Sequence, residues 1–92
     1  MNLKLDPSSR LRRRYLLLEG NRNEIEEAMQ DYLGILGMTK ADLVFVEHNG
    51  DKLIIAVNRE MLIHVKAAFA LSKYKISILR VSGTLKRLKR KP

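Results

Sequence analysis

The sequence predicts an α+β fold, a four-stranded antiparallel sheet with two helices on one face, from three observations. Asn49-Gly50 stands between two apolar, β-branched runs at residues 43–47 and 53–57. Helical periodicity fills a segment on each side of that pair, and a further apolar run lies near each end, at residues 15–18 and 74–81. The resulting order is strand, helix, strand, strand, helix, strand.

Taken in order, residues 1–9 carry Asp6, Pro7, Ser8 and Ser9 without periodicity, and read as a flexible lead-in. The first strand covers residues 15–18, extends back to Arg13 and Arg14, and stops at Gly20-Asn21. Ile25, Ala28, Met29, Tyr32, Leu33 and Leu36 then fall on one helical stripe. Asn23 is the expected N-cap, with Glu24, Glu26 and Glu27 at the positive end of the helix dipole, and Gly37 the expected C-terminal cap. Asn-Gly between β-branched runs predicts a hairpin with a type I′ turn, which needs positive φ at both central residues. Asn58 caps a second helix with a core face of Met61, Leu62, Val65, Ala68 and Phe69, ending near Lys73. The last strand alternates until Leu79 disturbs its period, where a bulge is expected. Two βαβ units with right-handed crossovers give a ferredoxin-like βαββαβ sandwich.

A sheet covered on one face only should alternate between apolar and polar residues, yet YLLL, LVFV and LIIAV are apolar at consecutive positions. The open face is thus expected to be covered, by another protein chain or a second copy, with the flanking segments folding back over part of it. Because the helical stripes end well before Lys86, residues 86–92 are expected to lie outside the core.

Composition narrows the function classes. Ninety-two residues, 46% apolar and 30% charged, suit one globular domain. The absence of cysteine removes disulfides and Cys-based zinc, and His48 and His64 alone offer little to a metal. The longest uncharged stretch, YLGILGMT, is far shorter than the roughly 20 residues of a membrane span, so a cytoplasmic protein without a membrane partner is expected. The net charge of +8 is unevenly placed. Arg10, Arg12, Arg13 and Arg14 near one end and Lys86, Arg87, Lys89, Arg90 and Lys91 at the other hold half of the eighteen basic residues, leaving nine against ten acidic ones. Charge gathered this way is the footprint expected for a polyanion, most often nucleic acid.

No catalytic constellation is legible. The glutamates near residue 25 are explained by a first helical turn, and each histidine lacks a carboxylate or serine at suitable spacing. Neither GxxxxGK[ST] nor GxGxxG occurs. The segment EGNRNE after the first strand has one Arg and one Gly, too few for an acylphosphatase-type loop. Asn58-Arg59 at a helix start suits a single phosphate. Residues 53–57 offer no aromatic for base stacking, so RNA contacts are expected to run from the charged ends to phosphates, by shape more than sequence.

Arg13-Arg14-Tyr15 leading the first strand, Asn58-Arg59-Glu60 opening the second helix with Val65, Ala67, Ala68 and Leu71 following, and above all Val81-Ser82-Gly83-Thr84-Leu85-Lys86 give a sequence that resembles the archaeal and eukaryotic ribonuclease P protein component 2 family over about residues 12–88. Relatives are often longer, with additional helices for which this chain has little room. The resemblance implies an RRM-like domain at residues 10–83 and a basic C-terminal arm at 84–92. It further implies a subunit of the ribonucleoprotein endonuclease that removes the 5′ leader from precursor tRNA. Its partners would be ribonuclease P RNA and protein component 3, with a homodimer inside a heterotetramer. Catalysis would belong to the RNA subunit and its Mg2+, with no cofactor on the protein. The alternative is a small basic nucleic-acid-binding protein of ribosomal or chromatin type. The candidate RNA-binding residues are Arg12, Arg13, Arg14, Tyr15, Arg59, Ser82, Gly83, Thr84, Lys86, Arg87, Lys89 and Arg90. Ser82-Gly83-Thr84 would form a turn or cap, and Leu85 with Leu88 would anchor a short basic helix or extended arm.

Overall fold

The computed structural model describes residues 12–89. Its elements are β1 (Arg13–Glu19), α1 (Arg22–Ala41), β2 (Val44–Asn49), β3 (Lys52–Asn58), a 3-10 turn (Arg59–Met61) entering α2 (Leu62–Leu71), β4 (Ser77–Ser82) and a short α3 (Leu85–Lys89). The four strands form one antiparallel sheet in the order β2-β3-β1-β4. This is the α+β, ferredoxin-like arrangement that the strand and helix order predicts.

The core lies between the sheet and the two longer helices. Leu16 and Leu18 of β1, Leu53, Ile55 and Val57 of β3, Ile25 and Met29 of α1, and Val65 and Phe69 of α2 are buried in one cluster. Alternation places Ile54 and Ala56 of β3 on the opposite face. They are buried as well, outside that cluster.

Helix α1 departs from the expected boundaries at both ends. Asn21, not Asn23, is the N-cap, its Oδ1 accepting from the backbone N–H of Asn23 at 2.8 Å and of Glu24 at 3.3 Å. Gly37 does not end the helix. The break comes at Gly34, with φ 69° and ψ −175°, and a second helical segment runs on to Ala41. A left-handed φ is open to glycine without penalty, so Gly34 is where the chain can turn. The break also rotates the stripe. Leu36, expected in the core, is 76% exposed and Ile35 88%, while Met38 packs against the core and Ala41 is buried within it. Asp42 closes the helix in the left-handed conformation, φ 50°, its N–H donating to the Met38 carbonyl.

The hairpin is present with a different turn. Asn49 pairs with Lys52, so the two-residue loop is Gly50-Asp51, and positive φ occurs at Gly50 alone. That excludes the type I′ turn and matches the type II′ pattern, with glycine at the first central position. The last strand begins at Ser77, three residues after Tyr74, because Ser72 Oγ holds the Tyr74 N–H in a turn. The expected bulge is there: Leu17 pairs with Arg80 and Leu18 with Ile78, leaving Leu79 unpaired. A second bulge, at Val46 of β2, had no signal in the sequence.

Candidate nucleic-acid interface

Antiparallel pairing decides which of the sequence-predicted residues meet. Arg13 lies opposite Asn58 and Tyr15 opposite Ser82, so the start of β1 and the ends of β3 and β4 share one end of the sheet. Arg12, Arg13, Arg14 and Tyr15, separated by more than forty residues of sequence from Asn58-Arg59 and by nearly seventy from Ser82-Gly83-Thr84, are thereby brought to the same edge. Arg59 N–H donates to the Arg12 carbonyl. A side-chain carbon on Gly83 would stand 3.6 Å from Nη1 of Arg14, so the guanidinium lies directly against that glycine.

The four N-terminal residues are not equivalent. Arg13 reaches across Asn58 to Asp42, with Nη2 2.6 Å from Oδ2 and Nη1 3.3 Å from the Asp42 carbonyl. This side chain ties β1 to the left-handed end of α1, so its first role is structural. Arg12 faces Glu60 at 3.8 Å with both side chains well exposed, a weak attachment that solvent screens. Arg14 is part-buried and donates to the Arg13 carbonyl at 3.0 Å. Tyr15 is half-buried on the sheet face away from α1 and α2, in a row with Ala56 and Ser82.

Of the two forms left open for the segment after β4, a short helix or an extended arm, the helix is the one present. Ser82 Oγ accepts from Thr84 N–H at 3.2 Å, Thr84 Oγ1 caps Arg87 N–H at 3.2 Å, and Leu88 N–H bonds the Thr84 carbonyl. Leu88 is 2% exposed, which corrects the expectation that residues 86–92 lie wholly outside the core. It is buried away from the helix-side cluster, and α3 packs against β4 and β1. Two contacts fix the side: Arg80 Nη2 donates to the Arg87 carbonyl at 3.5 Å, and Lys89 Nζ bonds Glu47 Oε1 at 2.9 Å, Glu47 lying opposite Ile54. Helix α3 therefore lies on the open sheet face over β4 and β1, so a flanking segment does fold back over part of the apolar surface.

With Leu85 and Leu88 turned inward, helical geometry turns Lys86 and Arg87 outward. Both are exposed and, like Arg59, have no ion-pair partner among the described residues. Lys89 is committed to Glu47. Arg10, Arg90 and Lys91 lie outside the described residues. Three acidic partners, Asp42, Glu47 and Glu60, went unrecognised in the sequence, because each is defined by a contact across the fold.

The opposite end of the sheet mixes both signs, with Lys52 opposite Glu19 and Lys73 3.8 Å from Glu27. Glu19 ends β1, Gly20 N–H donates to the Asp51 carbonyl, and Glu24 and Glu27 follow in the first turns of α1. Among the described residues no three His, Asp or Glu side chains gather in a way that could hold a metal ion. No described helix is long and apolar enough to cross a membrane. No protein-family model matches the chain, and no curated protein does.

Proposed function

We propose that this chain is a non-catalytic protein subunit of ribonuclease P. It binds and stabilises the catalytic RNA and so supports removal of the 5′ leader from precursor tRNA. The observation carrying this reading is that the three stretches on which the resemblance to the component 2 family rests, Arg13-Arg14-Tyr15, Asn58-Arg59-Glu60 and Val81 to Lys86, converge on one end of the sheet. Cations there neutralise RNA phosphates, which lowers the repulsion opposing a compact RNA fold and reduces the magnesium the RNA requires. The hydrolytic chemistry and its Mg2+ stay with the RNA.

The partner surface belongs on the helix layer in this reading. Helix α3 already occupies part of the open face, whereas Tyr32, Ile35, Leu36 and Leu71 of the two longer helices are exposed. Protein component 3 would bury them, alone or as paired heterodimers.

Affinity purification of the full chain from its source cell tests the proposal. Recovery of one structured RNA with magnesium-dependent cleavage of precursor tRNA is expected, and the RNA-free protein should have neither nuclease nor acyl-phosphate hydrolase activity. Recovery of ribosomal RNA or DNA, without processing activity, would replace this reading with that of a small basic ribosomal or chromatin protein.

A further inference from the structure

We infer that the basic surface takes the backbone of base-paired RNA and does not read single strands or base sequence, an inference that rests on the RNA-binding role proposed above and specifies its ligand. The first observation concerns which donors remain available. The neutral polar side chains at this edge are each engaged by the backbone: Asn58 Oδ1 by Glu60 N–H, Ser82 Oγ by Thr84 N–H and Thr84 Oγ1 by Arg87 N–H. These bonds fix the acceptor oxygens in caps and turns and leave only the Asn58 amide and two hydroxyls as neutral donors, while Arg59, Lys86 and Arg87 carry exposed charge with no ion-pair partner among the described residues. A surface whose exposed charges are cations held among capped polar side chains grips phosphates before base edges.

The second observation concerns stacking. Proteins that hold single strands do so by laying bases on exposed aromatic rings. Tyr15 is half-buried on the face that α3 crosses, and Ile54 and Ala56 beside it are buried. Phe45 lies under the Arg22 guanidinium, 4.3 Å from its centroid, Tyr74 donates to Glu27, and the exposed ring of Tyr32 lines a groove with Leu71, Ser72 and Lys73 on the helix layer. That groove holds none of Arg59, Lys86 and Arg87, and among the described residues no other Tyr or Phe ring is exposed. Double-stranded RNA, recognised by backbone shape, needs none.

Binding of the full chain to an RNA duplex of about 20 base pairs, to an unstructured single strand of the same length and to a second duplex of scrambled sequence tests this, with the duplex expected about tenfold tighter than the strand and the two duplexes within about threefold of one another. Lys86→Gln with Arg87→Gln should flatten the slope of log affinity against log salt by about 1.5 to 2 units for either duplex. Lys73→Gln, beside Glu27 at the far end, should leave the slope within about 0.3 units of the parent value. Equal or tighter binding of the single strand, a duplex preference that follows sequence, or an equal slope change from Lys73→Gln would each overturn the inference. If the chain recovers ribonuclease P RNA yet fails to prefer duplex, the ligand is wrong and the functional reading stands. Duplex binding without ribonuclease P RNA in the cell would sink the functional reading alone.

Discussion

The two faces of the sheet are both apolar, and they are covered in unequal ways. On one side α1 and α2 bring six fully or nearly fully buried apolar side chains, Ile25, Ala28, Met29, Ala41, Val65 and Phe69, against Leu16, Leu18, Leu53, Ile55 and Val57. On the other, the five-residue α3 brings one fully buried leucine and one half-buried one. Burying a leucine contributes about 1.5–3 kcal/mol, so α3 adds far less burial than the helix layer. The helix face sets whether the chain folds, and the open face sets how the basic segment is presented.

Breaking each face in turn exposes the difference. Leu16→Ala on the helix side should lower unfolding free energy by about 2–5 kcal/mol, through lost burial and the cavity left behind, measured by urea denaturation. Leu88→Ala removes the same side chain, yet α3 can detach without unfolding the sheet, so the global loss should stay below about 1 kcal/mol. Amide exchange should instead quicken at Leu88, whose N–H relies on the Thr84 carbonyl. Equal losses from the two variants would mean that α3 is part of the cooperative core.

The Arg13–Asp42 pair sharpens the comparison at the sheet's end, because it bolts the helix layer to β1. Asp42→Asn keeps a residue that tolerates left-handed φ and removes the charge. With Asp42 63% exposed, a loss of about 0–1 kcal/mol is expected, fading as salt is raised from low concentration. A larger, salt-independent loss would place more of the fold's stability in this contact than its exposure allows.

The smallest effect lies at the other end of the sheet. Tyr74 donates to Glu27 Oε2 at 2.6 Å, and this bond, with burial and the neighbouring carboxylates, pushes the phenol from 10.0 up to about 12. The folded state holds the proton longer than the unfolded one, so this contribution is complete below pH 10 and is lost as pH rises from 10 toward 12. The Tyr74→Phe difference spectrum in an absorbance titration should place the midpoint near the upper value. Glu27→Gln should bring it down, and an unchanged midpoint in that variant would remove the carboxylate as the cause.

Much of the architecture was legible in the chain because local chemistry sets it. Asn-Gly placed a hairpin, the Val65, Ala68 and Phe69 spacing gave the face of α2, and the disturbed period at Leu79 marked a bulge. Leu85 and Leu88, three apart in a basic run, marked an anchored segment. The errors fall where two local solutions compete and packing chooses between them. Asn21 and Asn23 are both good caps, Gly34 and Gly37 both good stops, and Asn49-Gly50 and Gly50-Asp51 both good turns.

The sequence by itself determined the order of elements, the apolar surplus on both sheet faces and the gathering of charge near the two ends, since periodicity, turn chemistry and composition are properties of neighbours along the chain. Only the tertiary structure decided that Arg14 and Tyr15 meet Ser82 and Gly83 at one end of the sheet, that Arg13 and Lys89 are tied to Asp42 and Glu47, and that Leu88 is buried on the open face. Those facts depend on antiparallel pairing and on contacts between residues far apart in sequence, as Tyr15 is from Ser82. A side chain's position in sequence states which charge it carries, and its neighbours across the fold state whether that charge is still available.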